Sequence, residues 1–174
     1  SEKGFTLLEV IIVIAIFAVL MGALLNLFNW HNKIFFLERA DTQATGSARN
    51  TMNNMTKYIA QATNIETSRT ISGTTYTTDS DTVVLKLPAY DSSGNLLSAI
   101  YDYVVYNKSG TNLVQITELG AGSNRNSGTK IMSADVSNFT LTYNNVDVTL
   151  ATTVVVDLTT SAVSRGTDTV SAQV

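Results

Sequence analysis

The sequence predicts an α+β protein, with one long N-terminal helix packed on a C-terminal antiparallel β-sheet domain. Three observations carry that expectation. Residues 10–32 are apolar apart from a few small or amide side chains, and His31 is the only ionisable residue among them. From there to about residue 63 the apolar positions narrow to a single stripe at helical spacing. After Asn64 the pattern changes to two-residue alternation interrupted by turn sequences.

The helix is expected to run without a break from about Phe5 to about Thr63, near 90 Å at about 1.5 Å per residue. Its first half meets the requirement of roughly 20 apolar residues for crossing a bilayer. Glu9 stands at the head of this segment. An acid inside such a helix costs on the order of 2.5–3.5 kcal/mol on insertion scales, so its presence asks for a reason. Gly22, in the middle of the apolar run, is a point of softness costing up to about 1 kcal/mol relative to Ala. Trp30 and His31 fall where the helix would leave the bilayer and read as an interfacial pair of amphipathic rings. In the second half, Ile34, Leu37, Ala44, Ala48, Met52, Met55, Ile59 and Ala62 recur mostly every three or four residues, with Asp41 interrupting the series. A stripe of this kind needs a cover, and a sheet from the C-terminal half would supply it.

Three strands are expected next, at Thr82–Tyr90, 99–107 and 112–119. The turn sequences Asp91-Ser92-Ser93-Gly94-Asn95 and Lys108-Ser109-Gly110-Thr111 join them into an antiparallel meander. Pro88 removes a ladder donor, which places its strand at an edge or interrupts it there. Residues 120–128 read as a flexible surface loop. Further strands are expected at Val136–Tyr143, roughly 146–158, and from Val170 to the end, with a short strand at 71–77 after the helix.

The chain has 174 residues, 44% of them hydrophobic, and a net charge of −3. Beyond the apolar helix there is enough for one modest globular domain. Mild acidity gives no general drive towards nucleic acid. Lys57, Arg69, Lys86, Arg125, Lys130 and Arg165 are scattered rather than clustered. Tyr101, Tyr103 and Tyr106 therefore lack the basic neighbours a base-stacking surface wants and read as sheet packing. No cysteine is present, so disulfide and thiolate chemistry are excluded. His31 is the only histidine, which leaves no second one for a Ser-His-Asp arrangement. Asp79, Asp81, Asp91 and Asp102 could gather around calcium, but the Asp91 loop lacks the alternating oxygens and closing Glu of an EF-hand, and a plain turn fits it better. No catalytic set and no cofactor-binding motif emerges. The chain starts at Ser1 without an initiator Met, and Val174 falls inside a strand-like segment, so both ends read as trimmed.

The head of the helix has a more specific reading. Gly4-Phe5-Thr6-Leu7-Leu8-Glu9 followed by the apolar run resembles the class III signal of type IV pilins and pseudopilins. The resemblance covers the first thirty or so residues, and the remainder matches that family in architecture only. It implies that a prepilin peptidase cuts between Gly4 and Phe5 and that Phe5 is then N-methylated. It also makes Glu9 the acid of the motif. Residues 1–4 are then a leader remnant, 5–32 a transmembrane and assembly helix, 33–63 its amphipathic continuation and 64–174 the sheet domain.

The resemblance further implies a subunit held in the bacterial cytoplasmic membrane with its C-terminal domain outside the cytoplasm. It is then drawn by an inner-membrane assembly platform into a periplasmic or extracellular filament with other pilin subunits. Glu9 of one subunit would neutralise the Phe5 ammonium of a neighbour, in a low-dielectric core where an unpaired charge is expensive. The absent disulfide and the C-terminal sequence are most like minor pilins or minor pseudopilins, which prime or cap assembly. A major pilin is the alternative, and Gly22 stands without the proline many pilins carry nearby. Thr6-Leu7-Leu8-Glu9 also fits a local capping box. A membrane-anchored surface adhesin would instead keep an uncut N-terminus.

Overall fold

The computed structural model describes residues 6–163 and 169–173. Helix α1 spans Leu7–Gln61 without interruption, including at Gly22. Thr6 is its N-cap in extended conformation, and Ala62 closes it by donating its N–H to the Ile59 carbonyl. Thr63 does not join the helix as expected because its N–H already donates to the Lys86 carbonyl at 2.8 Å, the first link to the sheet. At the other end Phe5 lies outside the described residues.

The fully covered face of α1 consists of Ala40, Ala44, Ala48, Thr51 and Met55. Ile34, Leu37, Met52, Ile59 and Ala62 are half-buried on its margins, while Asp41 is exposed. The stripe thus exists as expected, with Ala40 and Thr51 added to its centre.

Ten strands follow among the described residues: β1 Asn64–Glu66, β2 Ser68–Ile71, β3 Thr74–Thr77, β4 Thr82–Tyr90, β5 Leu96–Ser109, β6 Asn112–Glu118, β7 Gly128–Ser133, β8 Val136–Tyr143, β9 Val154–Val163 and β10 Thr169–Gln173. They form a five-stranded sheet in the order β1-β4-β5-β6-β7, a three-stranded sheet β10-β9-β8, and the hairpin β2-β3. All pairings are antiparallel, and β4-β5-β6-β7 is the expected meander with one more strand.

Several expectations are corrected. The single strand at 71–77 is a hairpin, turned through Ser72 and Gly73 at φ of 50° and 84°. The strand at 99–107 is longer on both sides, because β5 pairs through Leu96 at one end and Ser109 at the other. The strand at 146–158 begins late: Asp147 caps a 3₁₀ turn at Val148–Leu150, and β9 starts only at Val154. Strand β7 was not anticipated. Around Pro88 the interruption holds and the edge position does not: β4 lies between β1 and β5, but β1 reaches along it only to Lys86, and the β4–β5 register shifts between Pro88 and Tyr90.

The main core lies between α1 and the two larger sheets. It includes Met55, Ile65, Leu85, Tyr106, Leu113 and Leu158. A smaller cluster of Ile71, Val84, Val105 and Ile116 lies on the outer face of the five-stranded sheet, beneath the β2-β3 hairpin. With both faces covered, the first half of β4 is buried at every position from Thr82 to Leu85. This explains its unbroken apolar run. The three-stranded sheet meets α1 through small side chains, with Ala162 against Ala40 and Ala44. There the Thr160 hydroxyl donates to the Ala44 carbonyl at 2.8 Å.

Candidate functional site

The head of α1 is built by reciprocal hydrogen bonds. The Glu9 carboxylate accepts the Thr6 backbone N–H at 2.9 Å and the Thr6 hydroxyl at 3.0 Å, while Thr6 Oγ1 accepts the Glu9 N–H at 3.3 Å. This is a complete capping box, which satisfies N–H groups that a helix start otherwise leaves unpaired. It holds the carboxylate on the first turn, where the helix dipole favours an anion. Gly4 and Phe5 lie outside the described residues, so of the three residues singled out for processing and assembly only Glu9 is placed.

Behind that cap, every side chain from Thr6 to His31 is exposed. Leu7 is 81% accessible and Phe28 64%. The stretch contains an 18-residue window of mean hydropathy 2.9, and α1 is the one helix among the described residues long and apolar enough to cross a membrane. Burying one such side chain is worth about 1.5–3 kcal/mol. A rod of this length therefore has to be covered by lipid or by other apolar helices. Trp30 and His31 sit at the end of the exposed stretch, where half-buried positions begin.

The four aspartates weighed for calcium have separate tasks. Asp79 accepts the N–H groups of Asp81 and Thr82 at 2.9 and 2.8 Å, bracing the turn into β4. A hydrogen bond shared with Asp79, together with partial burial, holds the Asp81 carboxyl above its usual range. Asp91 accepts from the backbone of Ser93 and Asn95, and the Asn95 bonds hold its carboxyl below the usual range. Asp102 is buried and receives the Gly120 N–H, the Ser123 hydroxyl and Arg125 Nε, each at 2.9 Å.

That last group corrects the reading of residues 120–128 as a flexible loop, because Asp102 pins it at three points. Arg125 goes further, reaching Gln61 at the end of α1 and the Pro88 carbonyl, both at 3.2 Å. A signal for this was present in the sequence: Asp102 shares its strand face with Val104 and Tyr106 and so points inward. An inward-facing acid needs a cation.

The tyrosines divide between the two faces of β5, and the expectation that they lack basic neighbours is corrected for Tyr101 and Tyr103. Tyr106 is fully buried beneath Tyr58, with its hydroxyl donating to Asn54 Oδ1 at 2.5 Å, and burial pushes its pKa up. On the opposite face, Tyr101 lies under Lys86 and Tyr103 under Arg69. Lys86 and Arg69 also pair with Glu66 and Glu118. These rings and cations are already partnered within the sheet.

Comparison with curated proteins and with solved structures returns no match. One family description does match, the prokaryotic N-terminal methylation motif, over residues 1–25. The region it covers includes the capped acid and most of the uncovered apolar stretch. Such a motif points to a structural subunit rather than an enzyme, and implies prepilin-peptidase processing and association with other pilin subunits in general. The chain thus carries at its N-terminus the signal of type IV pilins and pseudopilins, on a helix fit for anchoring a pilin in a membrane.

Proposed function

We propose that this chain is a minor subunit of a type IV pilus-like filament, a pilus, secretion pseudopilus or DNA-uptake pilus, and that it primes or caps assembly. The observation that carries the reading is the uncovered apolar half of α1 with an acid capped at its head, inside the methylation motif. A prepilin peptidase cuts between Gly4 and Phe5, and Phe5 is methylated. The subunit waits in the cytoplasmic membrane with its sheet domain outside the cytoplasm. The assembly platform then moves the helix from lipid to neighbouring helices, and Glu9 meets the Phe5 ammonium of an adjacent subunit. The capping box supports this role by keeping the carboxylate at a fixed place on the first turn.

Glu9→Gln tests the pairing cleanly, because Gln preserves a capping box while removing the charge. Processing and helix content are expected to stay normal while incorporation into filaments is lost. Wild-type incorporation of that variant would reject the role given to Glu9. N-terminal mass spectrometry tests the cut, which predicts a mature chain beginning at methylated Phe5. Copy counting in purified filaments separates a rare minor subunit from a major pilin.

A further inference from the structure

Asn138 sits in the sequence Asn138-Phe139-Thr140, one of three Asn-x-Ser/Thr triplets in the chain. The pattern is the acceptor signal for N-linked glycans in exported proteins. The three triplets differ in what the fold leaves available. In Asn54-Met55-Thr56 the Asn is half-buried and accepts from the Tyr106 hydroxyl. That triplet is helical, so its first and third side chains do not face each other. In Asn107-Lys108-Ser109 the reacting nitrogen, Nδ2, already donates to Thr82 Oγ1 at 2.8 Å.

Asn138 differs on each count. It is exposed, and its Nδ2 makes no hydrogen bond among the described residues. It lies in β8, so Thr140 projects from the same face. The Thr140 hydroxyl donates to Asn138 Oδ1 at 3.4 Å, a long bond that does not engage Nδ2. The β8–β9 register shifts between Val136 and Asn138. This irregularity is why two consecutive residues, Ser137 and Asn138, both face solvent between buried Val136 and Phe139. Strand β8 is also an edge of its sheet.

We propose that Asn138 is a glycan acceptor, modified outside the cytoplasm from a polyprenyl-phosphate-linked saccharide. A bond forms between Asn138 Nδ2 and the anomeric carbon of the sugar. The bond from that carbon to the carrier phosphate oxygen breaks, the phosphate leaves with the electron pair, and the amide proton passes to a base of the transferase. The site depends on the proposed export of the sheet domain.

The test is peptide mass mapping of the full chain isolated from its native cells, with the N-terminus read in the same digest. A saccharide mass on Asn138 is expected, lost completely in Asn138→Gln and in Thr140→Ala and retained in Thr140→Ser. An unmodified Asn138, a glycan on Asn54 or Asn107 instead, or a modification that survives Thr140→Ala would overturn the proposal. The N-terminal reading is independent: methylated Phe5 with bare Asn138 rejects the acceptor alone, whereas an uncut N-terminus with a modified Asn138 rejects the filament reading alone.

Discussion

Arg125 Nε lies 2.9 Å from Asp102 Oδ2, and the Asp102 side chain is wholly buried while that of Arg125 is 17% exposed. The pair connects β5, the 119–127 connection, the end of α1 and the bend of β4 at Pro88. Removing one partner of a buried pair strands the other's charge, at about 3–5 kcal/mol. Arg125→Met is therefore expected to lower stability by that amount in denaturant unfolding of the detergent-solubilised chain. Asp102→Leu combined with Arg125→Met is expected to recover only part of the loss, because the Gly120 N–H and the Ser123 hydroxyl then lose their acceptor.

Ala44 presents only a methyl group where Thr160 reaches its carbonyl. A larger side chain there forces β9 off the helix. Ala44→Leu is expected to cost about 1–3 kcal/mol through overpacking. Thermal unfolding followed by circular dichroism measures this, and an unchanged midpoint would contradict the close approach.

Gly120 admits no side chain. A Cβ at this position would sit 2.7 Å from the Tyr101 carbonyl oxygen and overlap the Ile100 side chain. Gly120→Ala must displace backbone and with it the N–H that Asp102 receives. The expected loss is about 1–3 kcal/mol, accompanied by faster hydrogen exchange of the loop amides, which mass spectrometry can follow.

Alkaline pH is expected to destabilise the sheet domain. Burial raises the pKa of both Tyr106 and Tyr143 above the ordinary value of 10.0. A raised folded-state pKa contributes stability in full below the unfolded value, and that contribution falls away as pH climbs towards the folded one. Stability measured by denaturant titration is thus expected to decline above about pH 10. The Tyr106→Phe, Tyr143→Phe double variant should decline less steeply over the same range.

The helix and the meander were legible because each is written in local periodicity. Ala44, Ala48 and Met55 fall on the helical stripe, and the Val136–Tyr143 strand was found with its bounds intact. What was missed depends on partners distant in sequence. Lys130 and Ile131 are exposed, so β7 shows no alternation of its own and is specified by pairing with β6. The division into two sheets rests on Ala162 and Thr160 meeting the helix more than a hundred residues away. At the site, the acid and its capping Thr6 were readable from four consecutive residues. For Asp102 only the inward orientation was readable; its partners were not, since Gly120, Ser123 and Arg125 converge on it only after the chain folds back.

The exposed apolar run of α1 between Glu9 and His31, residues 10–30, comes to roughly 32 Å at about 1.5 Å per residue, against a hydrocarbon thickness of about 30 Å. A rod so closely cut to its solvent has almost no slack. Sliding it outward by a single turn wets three or four greasy side chains, a penalty of about 5–12 kcal/mol at about 1.5–3 kcal/mol apiece. Thermal agitation does not supply that, so in the filament assembly proposed above, departure from lipid and arrival against another shaft have to proceed as one continuous handover.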